Sequence, residues 1–185
     1  MANVDSPFGF VPSRHMSGSP IRTNKYTITS GLAENIFNGD LVILTADGVI
    51  TPSNGASEAA QTIGVFAGVS YTASDGSYKY SEYWPSGTTG TNIIAYVYDD
   101  PYIVFKVQSD GSPAQTDIGS CADVTVGTGS TTTGQSAFQL ASSMGASAAL
   151  CKLIALYESP ENAFGANAVM EVLLNEHILK QEAGI

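Results

Sequence analysis

The chain has 185 residues, 43% of them apolar, enough to bury a core without disulfides or a metal and too many for an intrinsically disordered protein. Only 13% are charged, about half the usual share, and Gly, Ser, Thr and Asn fill the difference, which suits strand faces and turns better than helices. The net charge is −10: residues 1–25 set Arg14, Arg22 and Lys25 against Asp5 alone, giving +2, and residues 26–185 carry −12, a body that repels phosphates and argues against direct nucleic acid binding.

Residues 1–23 read as an extended arm. Pro7, Pro12 and Pro20 each remove a backbone donor and push the preceding residue toward extended geometry. Phe8, Phe10, Val11 and Met16 lie between them and need apolar cover, from this domain or from a neighbouring subunit. The reading adopted is the neighbour.

Residues 24–185 read as a β domain, a barrel or sandwich with long loops and an added β layer from about residue 73. Short β-branched and aromatic runs alternate with turn signals every eight to twelve residues. Tyr26–Thr29 is the first run. Asn38-Gly39-Asp40 turns into Leu41–Leu44, and Asp47-Gly48 folds that run back onto Val49–Thr51 as a hairpin. Ile63–Tyr71 follows, with bulges or close backbone approaches expected at Gly64 and Gly68. Asp75-Gly76 leads into Tyr78–Trp84, and Asn92–Tyr98 and Tyr102–Gln108 flank a turn at Asp99-Asp100-Pro101. Residues 109–136 are irregular, and the Gly/Thr-rich run 127–134 is a loop. Gln135–Leu140 is a strand, Ala141–Ala149 a connection, and Leu150–Tyr157 a strand buried on both faces. The last run, 168–177, is read as a strand with 178–183 frayed; a helix over 168–182 is the alternative, since period alone does not separate them.

The residues expected of an enzyme are scattered. His15 sits in the arm and His177 near the end, and no metal-spaced set, calcium loop or phosphate loop occurs. Ser143 in Ala-Ser-Ser-Met-Gly is a poor imitation of a nucleophile elbow, and Asp99-Asp100 is read as a turn rather than a carboxylate pair. Tyr80, Tyr83 and Trp84 read first as strand packing with a Trp-Pro loop anchor; they are also the alternative functional set, an aromatic platform for a carbohydrate. Cys121 and Cys151 are read as two reduced thiols. The first twenty residues lack an apolar signal core, and no run approaches the ~20 apolar residues of a bilayer span. The expectation is therefore a protein made in a cytosol, without membrane contact, cofactor, metal or small-molecule substrate, and without catalytic residues.

The opening Ala2-Asn3-Val4-Asp5-Ser6-Pro7-Phe8-Gly9-Phe10-Val11-Pro12, followed by Arg14 and His15, resembles the start of small head structural proteins of marine tailed phages. Their leader runs into an Arg-Pro-x-Arg segment, of which only Pro12 and Arg14 have counterparts here. Ile36–Leu44, Asp47–Ile50 and Ile63–Val69 resemble the barrel of lambda-type head decoration (cement) proteins, so the likeness covers about the first seventy residues. It implies a homotrimer on the outer surface of a virion head, bridging neighbouring copies of the major capsid protein. On that reading Pro7, Phe8, Gly9, Phe10 and Pro12 add a strand to the capsid protein, with Arg14 and Arg22 steering it.

Overall fold

The computed structural model describes residues 3–55, 62–145 and 149–180. They form twelve strands: β1 (Val11–His15), β2 (Asn24–Tyr26), β3 (Leu41–Leu44), β4 (Ile50–Pro52), β5 (Thr62–Ala73), β6 (Tyr78–Ser81), β7 (Gly90–Tyr98), β8 (Ile103–Gln108), β9 (Cys121–Thr125), β10 (Gln139–Gly145), β11 (Cys151–Leu156) and β12 (Val169–Leu174). The strands pair antiparallel in two six-stranded sheets, so the chain is all-β as its composition predicts. The first sheet runs β1-β8-β12-β11-β9-β10. The second runs β2-β7-β5-β3-β4, with β6 pairing β5 beyond the end of β3.

Each sheet has a core set by its period of two. In the first, Ile103, Phe105 and Val107 of β8, Met170, Val172 and Leu174 of β12, and Cys151 and Leu153 of β11 point to one side, where Ala122, Val124 and Leu140 join them. Leu41 and Val65 reach this core from the second sheet and tie the two together. On its own side the second sheet buries Val42, Ile63, Phe66, Val69, Ile93, Ala95 and Val97 beneath Ile28, Ile36 and Trp84.

β5 is long enough to serve two partners on one edge because it bends. Its register slips against β3 beside Gly64 and against β7 between Phe66 and Gly68, where bulges were expected.

Several expectations need correction. Residues 3–23 are not a separate arm: β1 is the edge strand of the first sheet, its Val11 and Pro12 registered on Lys106 and Phe105 of β8. Pro12 is tolerated there because an edge strand needs only one side of its backbone for pairing. The chain leaves the second sheet at the Asp99-Asp100-Pro101 turn, so no layer begins near residue 73. β9 lies within the stretch read as irregular, and β10 extends to Gly145, into the stretch read as a connection; residues 146–148 of that stretch lie outside the described residues. The last run is a strand, followed by a 3-10 turn at Ile178–Lys180; residues 181–183 of the frayed segment lie outside the described residues.

The two cysteines are free, as expected. Cys151 is registered on Ala122 and Cys121 on Lys152, which turns the thiols to opposite faces of the sheet.

Candidate functional site

The leader folds back on its own body. Asn3 donates through Nδ2 to the Ala163 and Ala166 carbonyls at 2.9 Å each, and Gln108 Nε2 donates to the Val4 carbonyl at 2.8 Å while its Oε1 accepts the Ser6 N–H at 2.9 Å. Phe10 is fully buried in the first core, edge-on to Phe105 with centroids 6.3 Å apart, and its N–H donates to the Gly39 carbonyl at 2.9 Å. Gly9 holds a left-handed backbone (φ 73°), and a Cβ there would overlap the Ser136 side chain, so only glycine lets this segment cross. Phe8 is half-buried beside Val4, Lys106 and Tyr157 around a cavity of about 210 Å³.

Arg14 donates to Glu171 Oε2 at 2.8 Å, and Ser13 Oγ donates to Oε1 at 2.9 Å. Of the expected capsid contacts, Pro7 and Arg22 remain exposed, while Phe10 is an internal anchor and Arg14 is engaged by its own domain. The physical reason is proximity. An apolar strand tethered to a sheet with an open edge pairs with that edge before it finds another molecule.

The alternative aromatic platform is also dispersed. Trp84 is fully buried, edge-on to Tyr71 at 5.3 Å, and Tyr83 stacks on Phe37 at 5.5 Å. Only Tyr80 is exposed. Ser143 lies within β10, not on a strand-to-helix turn.

The densest polar constellation surrounds the Asp99-Asp100-Pro101 turn, where the end of β1, the start of β2 and the C-terminal 3-10 turn meet. Adjacent carboxylates diverge there, as expected of a turn. Asp99 accepts Asn24 Nδ2 at 2.9 and 3.0 Å and the Tyr26 hydroxyl at 2.6 Å. The Tyr26 hydroxyl is held well above its ordinary pKa, first by burial and then by that carboxylate. Asp100 accepts the Tyr102 N–H at 2.9 Å through Oδ1, closing an Asx turn, and meets His15 Nε2 at 3.0 Å through Oδ2. His15 Nδ1 accepts the Ser17 N–H at 3.1 Å, which places the neutral ring's proton on Nε2, facing Asp100.

His177 is fully buried at the same end, with Nδ1 accepting the Leu179 N–H at 3.2 Å. Burial, and then the charge of Lys180, lower its pKa to about 4. The fold thus gathers both histidines around one turn, which their separation of 162 positions in sequence concealed. The nearest signal was the Asp-Asp-Pro turn itself.

Ser17 Oγ also lies 2.9 Å from His15 Nδ1, completing a serine–histidine–aspartate chain. The single Nδ1 lone pair is shared with the Ser17 N–H, and Ser17 Oγ is also 2.9 Å from Ser19 Oγ, so the contact closes a local turn. Among the described residues no group of three or more His, Cys, Asp and Glu side chains is placed to hold a metal ion. This end exposes three large apolar side chains, Met16, Tyr102 and Leu179 at 51%, 56% and 59%, beside the exposed Lys180 and the half-exposed Asp100. The Met16 N–H donates to the Tyr102 carbonyl at 3.0 Å, and the Lys180 ammonium stands 5.4 Å from the centroid of the Tyr102 ring.

No protein-family model, curated protein or solved structure matches this chain. Among the described residues no helix is long and apolar enough to cross a membrane.

Proposed function

We propose that the chain is a non-enzymatic structural subunit on the outer surface of a tailed-phage head, a homotrimeric decoration protein that bridges copies of the major capsid protein. The leader's likeness to small phage head proteins supports the setting. The exposed Met16–Tyr102–Leu179 cluster carries the contact. Large apolar groups held rigidly within a polar frame make a docking patch, because burying them removes apolar area from water at little cost in ordering. The role assigned to the leader changes accordingly: it is an internal clasp that holds β1 and Met16 in place. A subunit that binds only the expanded shell stabilises it by mass action, and three linked contacts raise avidity by ~10²–10⁴.

The test is sedimentation of purified protein with expanded heads that lack it. Met16→Asp with Leu179→Asp, both at exposed positions, is expected to keep the melting temperature and to reduce occupancy about tenfold or more. Wild-type occupancy by a folded double variant overturns the reading.

A further inference from the structure

The second sheet carries a different kind of site at the other end of β7. A cleft of about 410 Å³ opens where β5 ends and β7 begins, lined by the hydroxyl-bearing residues Ser30, Thr72, Ser74, Thr89 and Thr91. No ionisable side chain lines it, although the protein carries a net charge of −10. Two of these hydroxyls are oriented. Ser30 Oγ accepts the Gly90 N–H at 3.1 Å and Thr72 Oγ1 accepts Asn92 Nδ2 at 3.5 Å, so each oxygen is engaged and its own proton is left for another acceptor. Asn92 adopts a left-handed backbone (φ 51°), one of two non-glycine residues to do so among those described.

Beside the cleft stands a row of tyrosines. Tyr78 is registered directly across from Thr72, and Tyr80 across from Ser70, so the four side chains share one face of the sheet. Tyr78 and Tyr80 are 70% and 62% exposed. Tyr96 continues the row, its ring centroid 6.3 Å from that of Tyr80 and its hydroxyl 3.2 Å from Ser70 Oγ. Tyr80 can lie along the sheet because residue 68 is glycine: a Cβ there would stand 2.9 Å from the Tyr80 hydroxyl oxygen.

We infer that this cleft and the Tyr78–Tyr80–Tyr96 face bind a neutral oligosaccharide. Exposed aromatic faces cover the apolar C–H face of a sugar ring, and a chargeless hydroxyl-lined wall exchanges hydrogen bonds with sugar hydroxyls. An anionic glycan finds no cation in this cleft. The nine residues of β7 separate the cleft from the Asp99 turn by roughly 25 Å, and of the tyrosine row only Tyr96 lies nearer that turn.

The experiment is a glycan array probed with the whole protein, followed by titration calorimetry. The array carries maltohexaose, cellohexaose, chitohexaose and galactan fragments, with polygalacturonate and sialylated glycans as charged comparators. At least one neutral oligosaccharide is expected to bind, with the charged ones weaker. Tyr78→Ala with Tyr80→Ala is expected to weaken that binding about tenfold or more, and Tyr78→Phe to leave it within about twofold. Thr89→Asp with Thr91→Asp, both exposed and outside the packed core, places charge in the cleft and is expected to abolish binding without relying on the tyrosine variants. Binding of no neutral glycan, preference for charged ones, or wild-type binding by either folded double variant overturns the inference.

Discussion

Two buried ionisable groups, far apart in sequence, make opposite demands on pH. Asp40 is buried beneath the Gly39 crossing, and its Oδ2 accepts the Phe37 N–H at 2.7 Å. Burial raises its pKa from 3.8 to about 6, opposed by the Ser136 hydroxyl and by that N–H. The folded state therefore holds the Asp40 proton more tightly than the unfolded chain, and this contribution is lost as pH rises from about 4 through 6. His177 is the reverse: with its pKa lowered from 6.5 to about 4, its contribution is present above pH 6.5 and lost as pH falls through 4. Each is on the order of 2–3 kcal/mol, and across pH 4–6 they offset one another. Asp40→Asn should therefore gain about 2 kcal/mol on the wild type between pH 4 and pH 7, and His177→Gln should gain on it as pH falls from 6.5 to 4. Urea unfolding at a series of pH values reads both, and a constant difference from wild type would refute the assignment. Phe10→Ala should cost ~3–4 kcal/mol, because it empties a core position against Phe105. Arg14→Ala should cost under ~1 kcal/mol, since the side chain is about half exposed and water screens its pair with Glu171. A fluorophosphonate probe is expected to leave Ser17 and Ser143 unlabelled.

Among the elements, β1 decides whether the leader is an arm or part of the body. As a free arm it would be removable without harm. As the edge strand of the first sheet it covers β8, and Phe10 just ahead of it fills the core that β8 and β12 line. Deleting residues 2–16 should therefore lower the melting temperature markedly and leave β8 as an open edge that promotes aggregation. A truncated protein as soluble and heat-resistant as the full chain would restore the arm. β1 was invisible to a pattern search because Val-Pro-Ser-Arg-His has no alternation of apolar and polar residues. β9 was hidden differently. Ala122 and Val124 do alternate, but over five residues set between loops, too short a run to stand out. By contrast β3, β5, β7 and β8 were legible, since each presents a run rich in β-branched or aromatic residues near a Gly, Asp or Pro turn.

For the whole molecule, the sheets are sewn together by chain order. β1 enters the first sheet, the chain builds the second through β7, and the Asp99-Asp100-Pro101 turn returns it to the first. The last turn, Ile178–Lys180, then closes on the same end through Lys180 and Tyr102. With N-terminal, middle and C-terminal segments meeting there, the exposed Met16, Tyr102 and Leu179 come to one end of the molecule only in the folded chain. Because that surface is the proposed capsid contact, Leu179→Asp should leave the oligomeric state read by light scattering unchanged. Because apolar burial responds weakly to ionic strength, capsid binding should persist in 1 M salt.

Composition and local pattern alone settled the all-β class, the turns at Asp47-Gly48 and Asp99-Asp100-Pro101, the free thiols and most central strands. Those depend on side-chain period and turn stereochemistry, which are properties of neighbouring residues. The destination of Phe8 and Phe10, the meeting of His15 and His177 and the tyrosine face were decided by tertiary structure. An aromatic ring between prolines looks the same in sequence whether it is offered to a partner or folded inward, and only a nearby open sheet edge, assembled from residues a hundred positions away, makes the choice.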